Sequence, residues 1–344
     1  MSNKLITFGI PCYNSQDYMD HCISSILEGA NYSEDIQINI VDDGSKDDTA
    51  QIADRWASEY PTIINAIHQE NGGHGLAVLA GLREADGIYY KVVDSDDWLD
   101  AHALSELLDK LRHFVEEDIR VDLVISNYVY EHVEDDAQNV VDYTKVIPTD
   151  KIICWDEIGH FGISQYLLMH SLCYRTDIVR KANLPMPAHT FYVDNLYAYH
   201  PLPLCNTIYY MDIDLYRYFI GRDDQSVNED VLISRIDHYW RVSRLMMQAY
   251  KLDEDIESKK LRNYMMNYFT IIMAITAVFS RFSDKPEAEA ELEAIWNELK
   301  QYDEWMYRHA RKGVIGVCSN LPGTLGKKTT KGIYKAAQKI MKFN

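Results

Sequence analysis

Residues 91–98 read KVVDSDDW, an apolar, strand-like run that closes on Asp94, Asp96 and Asp97, three carboxylates within four positions. Like charges this close raise one another's pKa and destabilise the chain unless something positive sits among them. A divalent cation answers that need, because short carboxylate loops hold Mg2+ or Mn2+ together with the oxygens of a bound phosphate. Asp94 and Asp96 are the residues assigned to metal, with ribose binding as their other use. Asp100, and with it Asp97, has the ordinary alternative of capping the helix that follows.

Three more polar clusters precede this one: PCYN at 11–14, DDGSKDDT at 42–49 and ENGGHG at 70–75. Asp42 and Asp43 can accept hydrogen bonds from a base N–H or a ribose hydroxyl, and Asp43 is the preferred contact. Gly72, Gly73 and Gly75 ahead of a helix would let backbone amides approach a phosphate. No GK[ST] follows, so this is not a P-loop, and no GxGxxG directly follows the first strand, so it is not a dinucleotide fingerprint.

The elements that position these clusters follow from periodicity. Short apolar runs at 5–10, 37–43, 62–68 and 89–94 alternate with helical patterns at 15–27, 47–59 and 75–85. A βαβαβαβ order implies a mostly parallel sheet covered by helices, with ligands bound beyond the strand C-termini. Every cluster above lies at such an end. Further strands are expected at 121–133, 139–147 and 206–221 around a helix at 101–115, and from Asn228 the pattern turns helical. We therefore divide the chain into a nucleotide-binding half at 1–116, an acceptor-binding half at 117–227 and a helical region at 228–344.

The net charge of −19 argues against general nucleic-acid binding, which relies on Lys and Arg at phosphates. The charge is uneven. From Trp305 to Asn344 there are nine Lys or Arg and no acid, which leaves −28 on the remainder. Lys327, Lys331, Lys335 and Lys339 repeat at i, i+4 opposite Ile333, Ala337, Ile340 and Met341, a basic amphipathic pattern that suits an anionic membrane surface or the acidic body. Six cysteines without CxxC spacing and an N-terminus with no basic-then-apolar leader point to a reduced, cytoplasmic protein, positioned at the inner face of a membrane if the tail binds lipid. The apolar run Tyr268–Phe279 is too short to span a bilayer and reads as a buried core helix.

In this order and spacing, IPCYN, VDDGSKDDT, ENGGHG and KVVDSDDW resemble the family 2 glycosyltransferases. The resemblance is close from Lys4 to about Trp98 and looser through FYVDN at 191–195 and LYRYFIGRDDQSV at 215–227. It implies a GT-A fold, Rossmann-like with a mostly parallel central sheet, here with a helical C-terminal region. It implies an inverting hexosyl or N-acetylhexosaminyl transferase that uses a nucleoside diphosphate sugar, with a UDP-sugar as the expected donor. Pro11, Tyr13, Asp42 and Asp43 would hold base and ribose, Asp94 and Asp96 would form the DxD that binds Mn2+ or Mg2+, and Asp194 would be the base. The chain departs from the family in having Val193 before Asp194 and Asn195 after it, and in lacking Arg and Asn in the helix after the glycine loop.

Gly73, His74, Asp97, Trp98, His170, Arg222 and Gln225 are further candidates for donor or acceptor contact. Arg217, Arg222 and Gln225 read as a lid over a diphosphate or as partners of nearby acids. A sugar-nucleotide pyrophosphorylase and a silent nucleotide-sugar binder are the alternatives, although PCYN stands where a pyrophosphorylase carries its GxGTR-like loop. The acceptor would be a glycan, free or lipid-linked, in polysaccharide synthesis, and the helical region could serve as a dimer face.

Overall fold

The computed structural model describes residues 4–132, 138–162, 165–220 and 229–321, together with 323, 326, 329, 330 and 332. They form two compact units: 1–159 with 167–221, and 160–166 with 222–344.

The first unit is built on a sheet whose strands are β1 (Lys4–Cys12), β2 (Ile36–Asp42), β3 (Ile64–His68), β4 (Gly87–Val92), β5 (Trp98–Leu99), β6 (Leu123–His132), β7 (Gln138–Val141), β8 (Ile152–Ile153), β9 (Leu172–Arg175) and β10 (Ile208–Ile220). Their order is β3-β2-β1-β4-β9-β6-β10-β5, with β7 beside β6 and β8 beside β10. The pairs β1–β2, β1–β4, β2–β3 and β6–β10 are parallel, whereas β9 runs antiparallel to both β4 and β6. Nearly every residue of β1 and β2 is buried, as expected of parallel strands covered on both faces.

The connecting helices are α1 (Met19–Gly29), α2 (Thr49–Glu59), α3 (His74–Arg83) and α4 (Ala101–Glu116). In α1, Met19, Cys22, Ile23, Ile26 and Leu27 recur at helical spacing and are buried. They meet Phe8, Ile10 and the Leu104–Leu111 stripe of α4 in one apolar cluster. Phe8 is wholly enclosed, so Phe8→Ala would cost about 3–5 kcal/mol. Asp100 caps α4, its carboxylate accepting from the amides of His102 and Ala103. Two short helices follow, α5 (Thr176–Lys181) and α6 (Asp194–Tyr199).

Two expectations are corrected, and one strand is added. The strand expected at 139–147 stops at Val141, because Tyr143 to Ile147 form a turn in which Val146 and Ile147 donate to the Tyr143 carbonyl. The helix expected at 231–250 is two, Glu229–Ser234 and Ile236–Ala249. The strand β9, which periodicity did not reveal in HSLCYR, is inserted between β4 and β6.

The second unit is helical around Lys259–Phe282. By length and composition that helix could cross a bilayer, but 67% of its apolar stretch is buried inside the structure, as a core helix requires. Arg244 fastens Ile236–Ala249 to Ala288–Tyr302 through Glu291 and Glu298. Lys327, Lys331, Lys335 and Lys339 lie outside the described residues, as do their apolar counterparts.

Candidate active site

The parallel strands β1, β2, β3 and β4 end on one edge, and there the polar clusters collect. Ser15 after β1 and Ser95 after β4 share a hydrogen bond of 2.7 Å, which joins the first loop to the acidic one. The amide of Asn14 donates to Ser45 Oγ, and the amide of Lys46 donates to Asn14 Oδ1. Pro11 is buried within β1 against Val41. Tyr13 stands 48% exposed at the strand end, available to a planar ligand.

Asp42 and Asp43 are both buried. Asp42 accepts from the Ser45 amide and pairs with His68 Nδ1 at 3.2 Å. The His68 imidazole then reaches Asp54 at 3.1 Å. Burial works against charge on His68, but Asp54 and Asp42 outweigh it and hold its pKa above the usual imidazole value. Asp43 accepts from Gln69 Nε2 at 2.7 Å and from the amides of Gly72 at 2.8 Å and Gly73 at 2.7 Å. This corrects the expectation that the Gly72 and Gly73 amides are free for a phosphate, since they serve to fasten the glycine loop to β2. Gly73 has φ of +87°, and a Cβ there would meet the His189 amide at 2.9 Å, so only glycine fits without strain.

The acidic loop is a turn in which the Asp97 amide donates to the Asp94 carbonyl at 3.0 Å. A turn of this kind sets positions i and i+3 side by side. Asp94 and Asp97 are therefore neighbours across the turn. Asp94, Asp97 and His170 each present a ligand atom within 4.8 Å of the others. Asp96 is outside that group, close enough to act electrostatically on Asp97 and His74.

His74, at the start of α3, places Nε2 at 2.8 Å from Asp94 Oδ1, and His170 Nε2 is 3.8 Å from Asp94 Oδ2. Burial would raise the Asp94 pKa, yet the two imidazoles, His74 foremost, carry it below the usual carboxylate value. For His74, burial opposes protonation, but Asp94 more than compensates, with smaller contributions from Asp194 and Asp96, so its pKa lies above the usual imidazole value. His170 is the opposite case. Stacked 4.6 Å from Tyr218 and edge-on to Tyr216, it is driven by burial to about 4 and is neutral at physiological pH. Its Nδ1 is buried without a hydrogen-bond partner.

Asp97 accepts from Tyr216 Oη at 2.6 Å and from the Phe219 amide at 2.9 Å. Burial, then Asp96 and Asp94, push its pKa well up. An ionised carboxylate, a second carboxylate under like-charge pressure and a neutral imidazole make a donor set that fits a divalent cation, because the ion relieves the repulsion that raises Asp97.

Asp194 opens α6 at the same crevice. Two residues earlier Tyr192 has φ of +66°, a backbone strain of the sort concentrated at functional sites. Asp194 keeps a partly exposed edge, but desolvation, reinforced by Asp94 and opposed by His74, raises its pKa to about 6. Trp98 packs between His21 and Phe219, 4.9 and 6.1 Å between ring centres. Of the two readings of Arg217, the structure shows the ion pair, with Asp100 and Glu131 at 3.0 Å each. Arg222 and Gln225 lie outside the described residues.

A mostly parallel sheet that gathers its acidic turn, histidines and raised carboxyl on one edge has the layout of a GT-A fold. Residues 7–164, a little under half of the chain, match the model of the family described as glycosyl transferase family 2. It is 34% identical over 136 residues to glycosyltransferase GlyG of Streptococcus pneumoniae serotype 4, covering 39% of this chain and 42% of GlyG. The chain thus spans less than half the length of that relative. Among solved structures it resembles S. aureus TarS 1–349 in complex with UDP-GlcNAc, with a TM-score of 0.64 at 16% identity over 97% of this chain and 92% of that one. It also resembles the mannosyltransferase PcManGT from Pyrobaculum calidifontis in complex with GDP-Man and Mn2+, with a TM-score of 0.54 at 16% identity over 91% and 86% of the two chains. These likenesses are of fold.

Proposed function

We propose that this protein is an inverting glycosyltransferase that moves a sugar from a nucleoside diphosphate sugar, with UDP as the expected nucleotide, to the hydroxyl of a glycan or lipid-linked glycan. The observation that carries the reading is the meeting, at one strand edge, of the Asp94–Asp97–His170 group with Asp194, a carboxyl raised to about 6. Tyr13 offers a face for the base, and Asp42 and Asp43 shape the floor beneath it. Asp94, Asp97 and His170 would hold the metal. The two carboxylates suit Mn2+ or Mg2+. When bound, the ion supplies positive charge for the departing diphosphate.

Asp194 takes the proton of the acceptor hydroxyl as the new glycosidic bond forms and the bond from the anomeric carbon to the diphosphate oxygen breaks. A base with a pKa just below neutral is largely ionised at pH 7 and still basic enough to receive that proton, worth ~10²- to 10⁴-fold. His74 stabilises Asp94 and faces Asp194 electrostatically, so it positions both acids. The nine positive charges of residues 305–344 support a place at an anionic membrane surface, where a lipid-linked acceptor would be found. Co-flotation with phosphatidylglycerol vesicles tests that point.

The test of the main reading is release of UDP from UDP-sugars with Mn2+, followed by NMR of the product's anomeric configuration. Turnover with inversion that Asp194→Asn removes while UDP still binds is the expected result. Retention of configuration, or turnover untouched by Asp194→Asn, would overturn it, and binding without any turnover would leave a silent nucleotide-sugar binder.

A further inference from the structure

Lys91, the last residue but one of β4, is 0% exposed, and among the described residues no carboxylate lies within ion-pair distance of its ammonium. A buried cation without an anion is costly to keep. Its partners are instead the carbonyls of His170 at 2.6 Å and Leu172 at 3.4 Å, and the face of Tyr216, whose ring centre is 5.3 Å away.

The register explains why these contacts matter. β4 and β9 pair antiparallel at Tyr89 with Arg175 and at Tyr90 with Tyr174, and the ladder stops there. Continued in the same register, it would set Lys91 against Cys173 and Asp94 against His170. Beyond Tyr90 the backbones no longer bond to each other, and the Lys91 side chain takes over, holding the turn Met169–Ser171 that carries His170. On its other side the ammonium meets Tyr216, whose hydroxyl accepts from the Asp94 amide at 3.1 Å and donates to Asp97. One buried charge therefore touches both arms that frame the acidic turn.

We propose that Lys91 is a positioning residue: its ammonium pins the His170 turn and the Tyr216 ring on either side of Asp94, and so sets the geometry in which Asp94, Asp97 and His170 receive a divalent cation with its diphosphate. This inference rests on the metal and donor reading above. Groups that orient metal ligands in this way commonly change metal affinity by about 10- to 100-fold when removed. Lys91 pairs with Phe8 of β1 through the backbone, but its ammonium reaches the His170 and Leu172 carbonyls and the Tyr216 ring rather than Tyr13, Asp42 or Asp43 at the nucleoside end.

The experiment compares wild type, Lys91→Met and Lys91→Gln by calorimetric titration of UDP with and without Mn2+, and by NMR titration of uridine. Lys91→Met fills the volume without a donor, whereas Lys91→Gln keeps one N–H for the His170 carbonyl. The expected result is a loss of about 10- to 100-fold in Mn2+-dependent UDP affinity in Lys91→Met, partial recovery in Lys91→Gln and unchanged uridine affinity in both. Wild-type Mn2+ dependence in folded Lys91→Met would overturn the proposal, as would a parallel loss of uridine binding. Failure of both variants to fold would overturn it too, since Lys91 would then serve the fold rather than the site. Absence of Mn2+ dependence in the wild type would instead bring down the metal reading itself.

Discussion

Asp194→Asn is the perturbation that tests the chemistry most directly, because the structure dictates both its kinetic and its stability signature. Desolvation, with Asp94 adding to it, raises Asp194 from 3.8 to about 6 against the opposing pull of His74. The base is then about nine-tenths ionised at pH 7 and about one-tenth at pH 5, so kcat/KM should fall roughly tenfold between them. Asparagine keeps the shape and removes the base. Turnover should drop ~10²- to 10⁴-fold and lose the limb near pH 6, while UDP affinity is retained.

The same shift has a thermodynamic consequence of known sign. A carboxyl whose folded pKa lies above its unfolded value binds protons more readily in the folded state, so it destabilises the fold increasingly as pH rises from about 4 to about 6, and fully above that. Asp194→Asn should therefore be near neutral at pH 4 and raise the melting temperature at pH 8. The assay is a pH series of initial rates with a coupled UDP readout beside calorimetric melts of both proteins. A mutant that loses activity but keeps the pH 6 limb, or that is less stable than wild type at pH 8, would refute the assignment of Asp194 as a desolvated base.

Other expectations follow from the same geometry. UDP with Mn2+ should stabilise the wild type, by about 2.7 kcal/mol at a ligand concentration one hundred times Kd. Asp94→Asn and Asp97→Asn should abolish the Mn2+-dependent part in thermal melts, and Asp96→Asn should weaken it less. Gly73→Ala forces a side chain into a left-handed residue 2.9 Å from the His189 amide and should cost about 1–3 kcal/mol by urea unfolding, with weaker UDP binding as the loop shifts. Asp122 is buried and accepts from the amides of Asn206 and Thr207. Asp122→Ala should destabilise by about 1–3 kcal/mol in the same assay while leaving UDP affinity intact.

Much of the site was legible because its clusters are local. An apolar run that stops at a string of carboxylates announces a strand end, and four such ends in a βαβ series must share an edge. Asp94 and Asp194 could be selected on that basis and on the family motifs. The pairing of the histidines with Asp94 could not, because His74 and His170 reach it from a helix start and a turn that only the folded sheet brings together. The amides of Gly72 and Gly73 misled for a similar reason, since a buried carboxylate on the neighbouring strand competes for the donors a phosphate would use. For Arg217 the residue type left open a phosphate or a nearby acid, and only the fold selects Asp100 and Glu131.

By itself the sequence determined the parallel half of the sheet, the edge at which ligands bind and the acidic character of that edge, since strand periodicity, turn residues and helix caps act over a few neighbouring positions. Tertiary structure decided what those acids face. The strand β9 is four residues long and carries no periodic signal, yet its insertion antiparallel to β4 sets His170 beside Asp94, 76 positions away in the chain. The same insertion covers Lys91, whose ammonium meets the His170 and Leu172 carbonyls. Pairing between distant strands is selected by the total burial of the sheet, a quantity no short stretch of sequence contains.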